Sequence, residues 1–344
     1  MAYKLAFIGF GVVGQGLAML LEEKKKLLKN QFGILFTVEA ISDPVKGSVC
    51  QKGGLDLKKI LSIVEKEGTI ANYEKGEKGW DSLKTIKESN ANVIIEVSPT
   101  NIETGEPGVS HIREALKRKQ HVLTTNKGPI ALFYKELSEL AKQNNVILKF
   151  EGTVLSGTPA LNFSFDTLTG ADIQEIRGIM NGTTNYILTK MAEGQDYNTV
   201  LKEAQRLGYA ETKPDADVKG WDALAKIVIL ANVVMGGNIK PKDVPTQGIT
   251  DITLDDINAA KKEEKKYKLI GRAWKEGGTV KAKVSPEKIA REDFLYHVNG
   301  VTNALTFSTD VLGNVTVVGP GAGKKETGFS LLTDFISMHH AITS

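Results

Sequence analysis

Gly9-Phe10-Gly11-Val12-Val13-Gly14 is a complete G-x-G-x-x-G. It closes the apolar run "YKLAFIGF" and opens a helical one, the setting in which such glycines bind a dinucleotide. Gly9 permits a tight turn, Gly11 lets the backbone approach a pyrophosphate, and Gly14 lets helix lie close on strand. The N–H groups from Gly11 to Gly14, Val12 and Val13 included, then face the phosphates with the helix dipole behind them. A second group of reactive side chains sits far along the chain, in "YAETKPDADVKGWDALAKIVILAN" (209–232). Asp222 and Lys226 are four apart, so they share one helix face. Glu211, Asp215 and Asp217 crowd the loop before them. Such a cluster can grip a polar substrate and move a proton. Acidic residues at a helix start also simply suit the macrodipole, by a few tenths to about 1 kcal/mol, and an i,i+4 ion pair adds about as little. Taken alone, the stretch favours that plainer reading.

The elements that must position these groups change character midway. Apolar runs at 3–10, 36–42, 92–98, 121–125 and 146–150 read as strands. Helical stretches at about 14–30, 107–119 and 129–143 separate them. Continuously apolar strands alternating with helices mean a parallel sheet covered on both faces, here a Rossmann-type doubly wound α/β domain. Residues 44–80, rich in Gly and Lys, read as an insertion with a short helix at about 57–66. Beyond about 151 the pattern is α+β: a strand at 173–181, helices at about 183–193, 198–207 and 221–234, and alternating strands at 267–274, 278–285 and 304–310. On the last helix, Trp221, Leu224, Ala225, Val228, Ile229 and Asn232 mark the apolar face. "LDDINAAKKEEKKYK" (254–268) reads as a charged helical face. The expected division is a dinucleotide-binding domain over 1–150, completed by the C-terminal helix within about 315–344, and a substrate-binding, catalytic and dimerisation domain over 151–314.

The end of the second strand, "ISDPVKG", should read the adenosine ribose. Asp43 suits the two hydroxyls of NAD, whereas Ser42 and Lys46 suit the 2′-phosphate of NADP; both remain open. The totals exclude several classes. With 344 residues, 44 basic against 41 acidic and a net charge of +3, the chain has no field to attract nucleic acid or a membrane surface. The single cysteine, Cys50, allows no internal disulfide and suits a reducing compartment; without a histidine nearby it is not expected to be catalytic. No signal peptide and no apolar run of membrane-spanning length are read, so the cytoplasm is expected. The five histidines show no metal spacing, so no zinc site is expected.

Five further stretches, "TTNKGPIAL" (124–132), "EGTVLSGTP" (151–159), "RGIMNGTTNYIL" (177–188), "LGYAETKPDADVKGWDALAKIVILA" (207–231) and "GPGAGKKET" (319–327), carry a family likeness when taken in this order. With them the chain resembles homoserine dehydrogenase over nearly its full length. "SPTNIETGEPG" (98–108) is similar to the short, monofunctional archaeal-type form, so no regulatory domain is expected. The resemblance implies NADP or NAD as cofactor. It also implies interconversion of L-homoserine and L-aspartate 4-semialdehyde, a step toward threonine, methionine and isoleucine.

What the resemblance implies for residues reverses the plainer reading above. Lys226 takes the acid/base role and Asp222 binds substrate beside it. Glu211 matches the residue that holds the substrate ammonium, a strong charge-assisted contact. Asp217 matches a further acidic position, and Asp215 has no counterpart. Lys127 lies near both nicotinamide and substrate; without the resemblance it reads as a surface lysine capping the loop before Pro129. Gly182 and Thr183 face the substrate carboxylate from a helix N-terminus. Ser98, Thr125, Asn126, Gly208 and Gly323 contact the cofactor. "EGTVLSGTP" is similar to a monovalent-cation loop for Na+ or K+, with Glu151, Val154, Ser156 and Thr158 as ligands, mostly through backbone oxygens; an uncharged hinge is the other reading. A homodimer built on the second domain is expected. The alternatives are an NAD(P)-linked reductase of a related amino-acid aldehyde or ketoacid, and a dinucleotide sensor without turnover.

Overall fold

The structure, a computed structural model, describes residues 2–343. The chain forms two compact units, Met1–Gly157 with Gly323–Ser344, and Thr158–Ala322.

The first unit is built on a seven-stranded sheet. Its strands are β1 (Ala2–Ile8), β2 (Leu35–Asp43), β3 (Gly47–Cys50), β4 (Glu77–Lys78), β5 (Val93–Glu96), β6 (His121–Thr124) and β7 (Leu148–Lys149), in the order β4-β3-β2-β1-β5-β6-β7. The strands from β2 to β7 in that order pair in parallel. Residue alternation along β1 explains its apolar run. Tyr3, Leu5 and Phe7 pack on one face with Leu17, Leu21, Leu331 and Phe335, while Ala6 and Ile8 pack on the other with Ile112, Leu116 and Leu137. Each large side chain so buried contributes about 1.5–3 kcal/mol. Helix Lys324–Thr343 lies against helix Val12–Glu23 at glycine contacts: a Cβ on Gly16 would sit 2.0 Å from the Lys324 carbonyl oxygen.

Two expectations need correction here. The insertion is not loop plus helix alone, because β3 and β4 add antiparallel strands to the parallel sheet. The helix expected over 14–30 is two, Val12–Glu23 and Lys25–Phe32, broken at Lys24 where φ is −104° and ψ 10°.

The second unit is an antiparallel sheet of β8 (Ile173–Ile179), β9 (Lys265–Glu276), β10 (Thr279–Ala290), β11 (Thr302–Thr309) and β12 (Gly313–Pro320), ordered β10-β9-β8-β11-β12. Helices Gly182–Ala192 and Trp221–Val233 contact β9 of this sheet. The boundaries lie at 157/158 and 322/323 rather than at 150/151 and 314/315. β12 pairs along its length with β11, which keeps residues 315–320 in this unit. The charged face expected to 268 ends as helix at Lys262; Glu264, at φ 55°, turns the chain into β9. Trp221 leaves the apolar face: it is exposed, with the Lys219 ammonium 5.1 Å from its ring centroid.

Candidate functional site

Gly9 follows β1 directly, at φ 98°, where a side chain would be strained. A Cβ there would lie 2.4 Å from the Val97 carbonyl oxygen, and one on Gly14 2.8 Å from the Gly9 carbonyl oxygen. A Cβ on Gly11 would meet nothing within 4 Å. The three glycines therefore divide as their spacing implies: two are forced by backbone contact, and the middle one faces open space where a pyrophosphate can approach. Gly11 is also the N-cap of helix Val12–Glu23 and brings no capping side chain, so the first N–H groups are left for a ligand. Phe10 contributes its amide instead, donating to Asp43 Oδ2 at 2.7 Å.

Asp43 thus holds the glycine loop. Its other oxygen accepts from Val45 N at 2.9 Å and Lys46 N at 2.8 Å. Ser42 is buried and donates its hydroxyl to the Trp80 carbonyl, and the Lys46 ammonium reaches the Gly68 carbonyl. Beside them opens a cleft of about 630 Å³, lined in part by Gly9, Asp43, Trp80, Leu83, Ser98 and His111. Trp80 and Leu83 give it apolar surface that the sequence reading did not assign; the antiparallel β3–β4 pair brings the 77–83 segment there. The thiol of Cys50 is buried, and burial raises its pKa, which suits a packing role rather than a nucleophile.

At the carboxyl end of β5, Glu96 is fully buried and organises its neighbours. It accepts from the Ser98 hydroxyl and from Thr124 Oγ1, and lies 3.3 Å from His111 Nδ1. Asn126 donates to the Ser98 carbonyl at 3.2 Å. The Oδ1 of Asn126 is buried with no hydrogen-bond partner, an unsatisfied acceptor that a hydroxyl or amide of a bound cofactor fits. Thr125 is half-buried beside it. Lys127 is the first residue of helix Lys127–Gln143. A cation there opposes the macrodipole, so helix stability does not account for it.

The 151–158 loop contains one short helix, Gly152–Leu155. Glu151 is buried and its amide donates to Asp334 Oδ2; Val154 is fully buried. Ser156 has φ 56° and ψ −121°, which swings its carbonyl out of the helical course, while its hydroxyl meets Thr327 Oγ1 at 2.7 Å. Thr158 donates to the Pro320 carbonyl. Among the described residues no group of three or more His, Cys, Asp or Glu could hold a metal ion. Gly323, at φ 137°, precedes Lys324, whose ammonium reaches Gln15 Oε1 on the glycine-loop helix at 3.1 Å.

In the second unit the acidic cluster gathers around a residue the sequence reading overlooked. Asn181 caps helix Gly182–Ala192 by accepting from Thr184 N, and its amide donates to Asp217 Oδ1 at 2.7 Å and Asp222 Oδ2 at 3.0 Å. Lys226 is buried on helix Trp221–Val233. Its ammonium donates to the Met180 carbonyl at 2.7 Å and pairs with Asp222 Oδ2 at 2.7 Å. Burial holds the Asp217 carboxyl above its ordinary range, and the Asp222 charge adds to this; the Asn181 hydrogen bond and Lys226 oppose it. Thr183 is buried and donates to the Tyr209 carbonyl. Gly182 is required by packing, since a Cβ there would lie 2.7 Å from the Val301 carbonyl oxygen. Glu211 and Gly208 lie on the exposed loop from Leu207 to Lys213, Gly208 at φ 76°. Asp215 is exposed and paired with Lys219 at 3.1 Å.

The pair Asp222–Lys226 is therefore largely buried, unlike a solvated ion pair at a helix end. Taking a lysine out of water costs several kcal/mol unless it is paired and hydrogen-bonded, and this one is held by a carboxylate and a carbonyl from two elements. Its nearest sequence signal was the i,i+4 spacing. Asn181 had only its place before "GTTN", the pattern of an N-cap.

The sequence profile of the homoserine dehydrogenase family matches residues 159–336. The chain is 45% identical over 338 residues to a homoserine dehydrogenase of Methanocaldococcus jannaschii, covering 98% of each chain. It is 40% identical over 342 residues to an NAD(+)-dependent homoserine dehydrogenase of Pseudomonas canavaninivorans, covering 99% of this chain and 97% of that one. A solved hyperthermophilic archaeal homoserine dehydrogenase in complex with NADPH superimposes with a TM-score of 0.85 at 31% identity, covering 99% and 98% of the two chains.

Proposed function

The chain belongs to the homoserine dehydrogenase family, and from that membership we propose that the cluster around Asn181 is where it holds its substrate and moves the proton. The enzyme is an NAD(P)-dependent oxidoreductase that interconverts L-homoserine and L-aspartate 4-semialdehyde. Bound NAD(P) would supply the hydride acceptor for oxidation and the hydride donor for reduction at the carbinol carbon. The chain's task is to orient the substrate and handle the hydroxyl proton. In oxidation Lys226, as the amine, accepts that proton; in reduction, as the ammonium, it gives it back.

The observation that carries this reading is the fixed placing of the Lys226 ammonium. Met180 and Asp222 occupy two of its three donor positions, which leaves one for the substrate oxygen. Asp222 orients the same hydroxyl. Glu211 binds the ammonium of homoserine, and the Gly182–Thr183 helix start binds its carboxylate. Asp217 braces Asn181. Lys127 is the second lysine of the reacting centre. The open space at Gly11, the orphaned Asn126 Oδ1 and the cleft beside Asp43 support cofactor binding along the first unit.

NAD is the favoured cofactor. Asp43 puts a fixed carboxylate on the lining of the cleft, where its charge would repel a 2′-phosphate, and the Ser42 hydroxyl and Lys46 ammonium are bonded to carbonyls. Comparing kcat/KM for NAD and NADP tests this; a preference for NADP overturns it. The backbone of 151–158 serves a cation cage or a hinge, and no step depends on which. A homodimer built on the second unit is expected, through the outer strands of its sheet; a monomeric mass by light scattering with full activity contradicts it. Among the described residues no helix is long and apolar enough to cross a membrane, and a cytoplasmic enzyme acting without nucleic acid or membrane partners is the reading the balanced charge supports. The test of function is oxidation of NADH or NADPH with L-aspartate 4-semialdehyde, against a panel of related aldehydes and ketoacids. A faster reaction with another carbonyl, or tight cofactor binding without turnover, overturns it.

A further inference from the structure

Lys268 is the one lysine of the second unit that burial isolates from every carboxylate within ion-pair distance among the described residues. It lies on β9 and is 1% exposed. Its ammonium donates only to neutral acceptors: Asn185 Oδ1 at 2.9 Å, the Val298 carbonyl at 2.5 Å and Asn299 Oδ1 at 3.2 Å. Stability alone would favour a methionine of similar length at such a site, because an ammonium in the interior loses its hydration without a counter-charge. The cost is visible in its pKa, which burial and the nearby Lys266 charge depress from 10.5 to about 7.

What the lysine holds is the backing of the substrate turn. Asn185, on helix Gly182–Ala192, donates to the Val298 carbonyl at 3.3 Å and the Thr302 carbonyl at 2.9 Å. Gly300 N donates to Thr189 Oγ1 of the same helix at 3.1 Å. Loop 298–302 is thereby clamped against the helix, and its Val301 carbonyl sits on Gly182, where no Cβ would fit. One residue earlier, Asn181 grips Asp217 and Asp222, and Met180 accepts from Lys226. β11, which begins at Thr302, pairs Ala304 with Ile179 at the end of β8. The turn that places the reacting side chains is thus pressed from behind by a loop that Lys268 ties down.

We propose that Lys268 is a positioning residue for substrate recognition: by locking loop 298–302 to helix Gly182–Ala192 it fixes the Met180–Thr183 turn in the geometry that binds homoserine. The inference rests on the reading of that turn as the substrate end. It assigns Lys268 no contact with substrate or cofactor.

The test is the steady-state kinetics of Lys268→Met, with homoserine and NAD each varied at saturation of the other. The expected result is a rise of about tenfold in KM for homoserine, since small displacements of positioning groups cost that much or more, with KM for NAD unchanged. A merely structural role would lower the active fraction, and so kcat, with both KM values unchanged; that result overturns the proposal, as does an equal rise in both. Should Lys268→Met not fold, Asn299→Ala decides by the same split. Asn299 is exposed and supplies one of the three acceptors, so KM for homoserine should rise about threefold; no rise overturns the proposal. A wild type inactive on homoserine would overturn the proposed function instead, which separates the two failures.

Discussion

Replacing Asn181 with alanine should damage stability and catalysis together, because one amide serves the helix and two carboxylates at once. Losing the cap to Thr184 N costs about 1 kcal/mol. The bonds to Asp217 and Asp222 are to charged groups and are worth about 1.5–3 kcal/mol each. Water entering the gap and rotation of the carboxylates recover part of this, so a net loss of about 3 kcal/mol is expected. For a unit of this size that lowers Tm by about 6–12 °C. The effect has a pH signature. The Asp217 pKa already lies above its ordinary value of 3.8 through burial, and Asn181 is the strongest group opposing that shift. A raised carboxyl pKa contributes stability below the unfolded pKa and loses it as pH rises through the folded one. Without Asn181 the folded pKa climbs further, so the deficit should be smallest in acid and grow toward neutral pH. Catalysis should fall about a hundredfold in kcat/KM, since Asp222, the partner of Lys226, loses the amide that fixes it. Urea unfolding at pH 4.5 and 7.5, followed by tryptophan fluorescence, and initial rates with homoserine measure both. A loss below about 1 kcal/mol at neutral pH with kcat/KM within twofold of wild type would refute the reasoning.

If Glu211 holds the substrate ammonium as proposed, the contact is made equally to substrate and transition state, so Glu211→Gln should raise KM for homoserine about tenfold with kcat little changed, whereas Asp222→Asn should lower kcat; the reverse pattern would exchange the two roles. Gly11→Ala should fold normally and raise KM for the cofactor, because its Cβ would enter the open space proposed for the pyrophosphate, while Gly9→Ala should fail to accumulate as folded protein, its Cβ lying 2.4 Å from a backbone oxygen; melting curves with and without NAD distinguish them. Lys268 should make stability rise between about pH 7 and 10.5, since over that range the unfolded chain binds a proton that the folded one does not. The full gain approaches ~5 kcal/mol at ~1.4 kcal/mol per pH unit, and Lys268→Met should flatten that slope; an unchanged slope would show that folding does not lower the Lys268 pKa.

The framework was legible where physics is local. Apolar strands alternating with helices specified the parallel sheet, and the glycines at 9 and 14 announced a turn that needs them. The i,i+4 spacing of Asp222 and Lys226 gave the shared helix face, though the spacing alone leaned toward decoration and the family likeness was needed to reverse it. What escaped was set by distant contacts. Asn181 meets Asp217 and Asp222 from 36 and 41 residues away, and Lys268 meets Asn185 across 83; no local pattern encodes either. Glu96 and His111 look like a strand residue and a helix residue until the fold sets them 3.3 Å apart. The strands β3 and β4 are short and lack an apolar alternation, so the insertion read as loop. The break at Lys24 and the turn at Glu264 have no glycine or proline to mark them.

In the proposed function Lys226, held by Met180 and Asp222, moves the proton between homoserine and aspartate semialdehyde. Lys226→Ala tests it most directly, with NAD binding measured by calorimetry and turnover measured in both directions on the same preparation. Turnover should fall by at least about a hundredfold while the Kd for NAD stays within about twofold. Turnover near the wild-type rate in a folded, NAD-binding Lys226→Ala enzyme would contradict it.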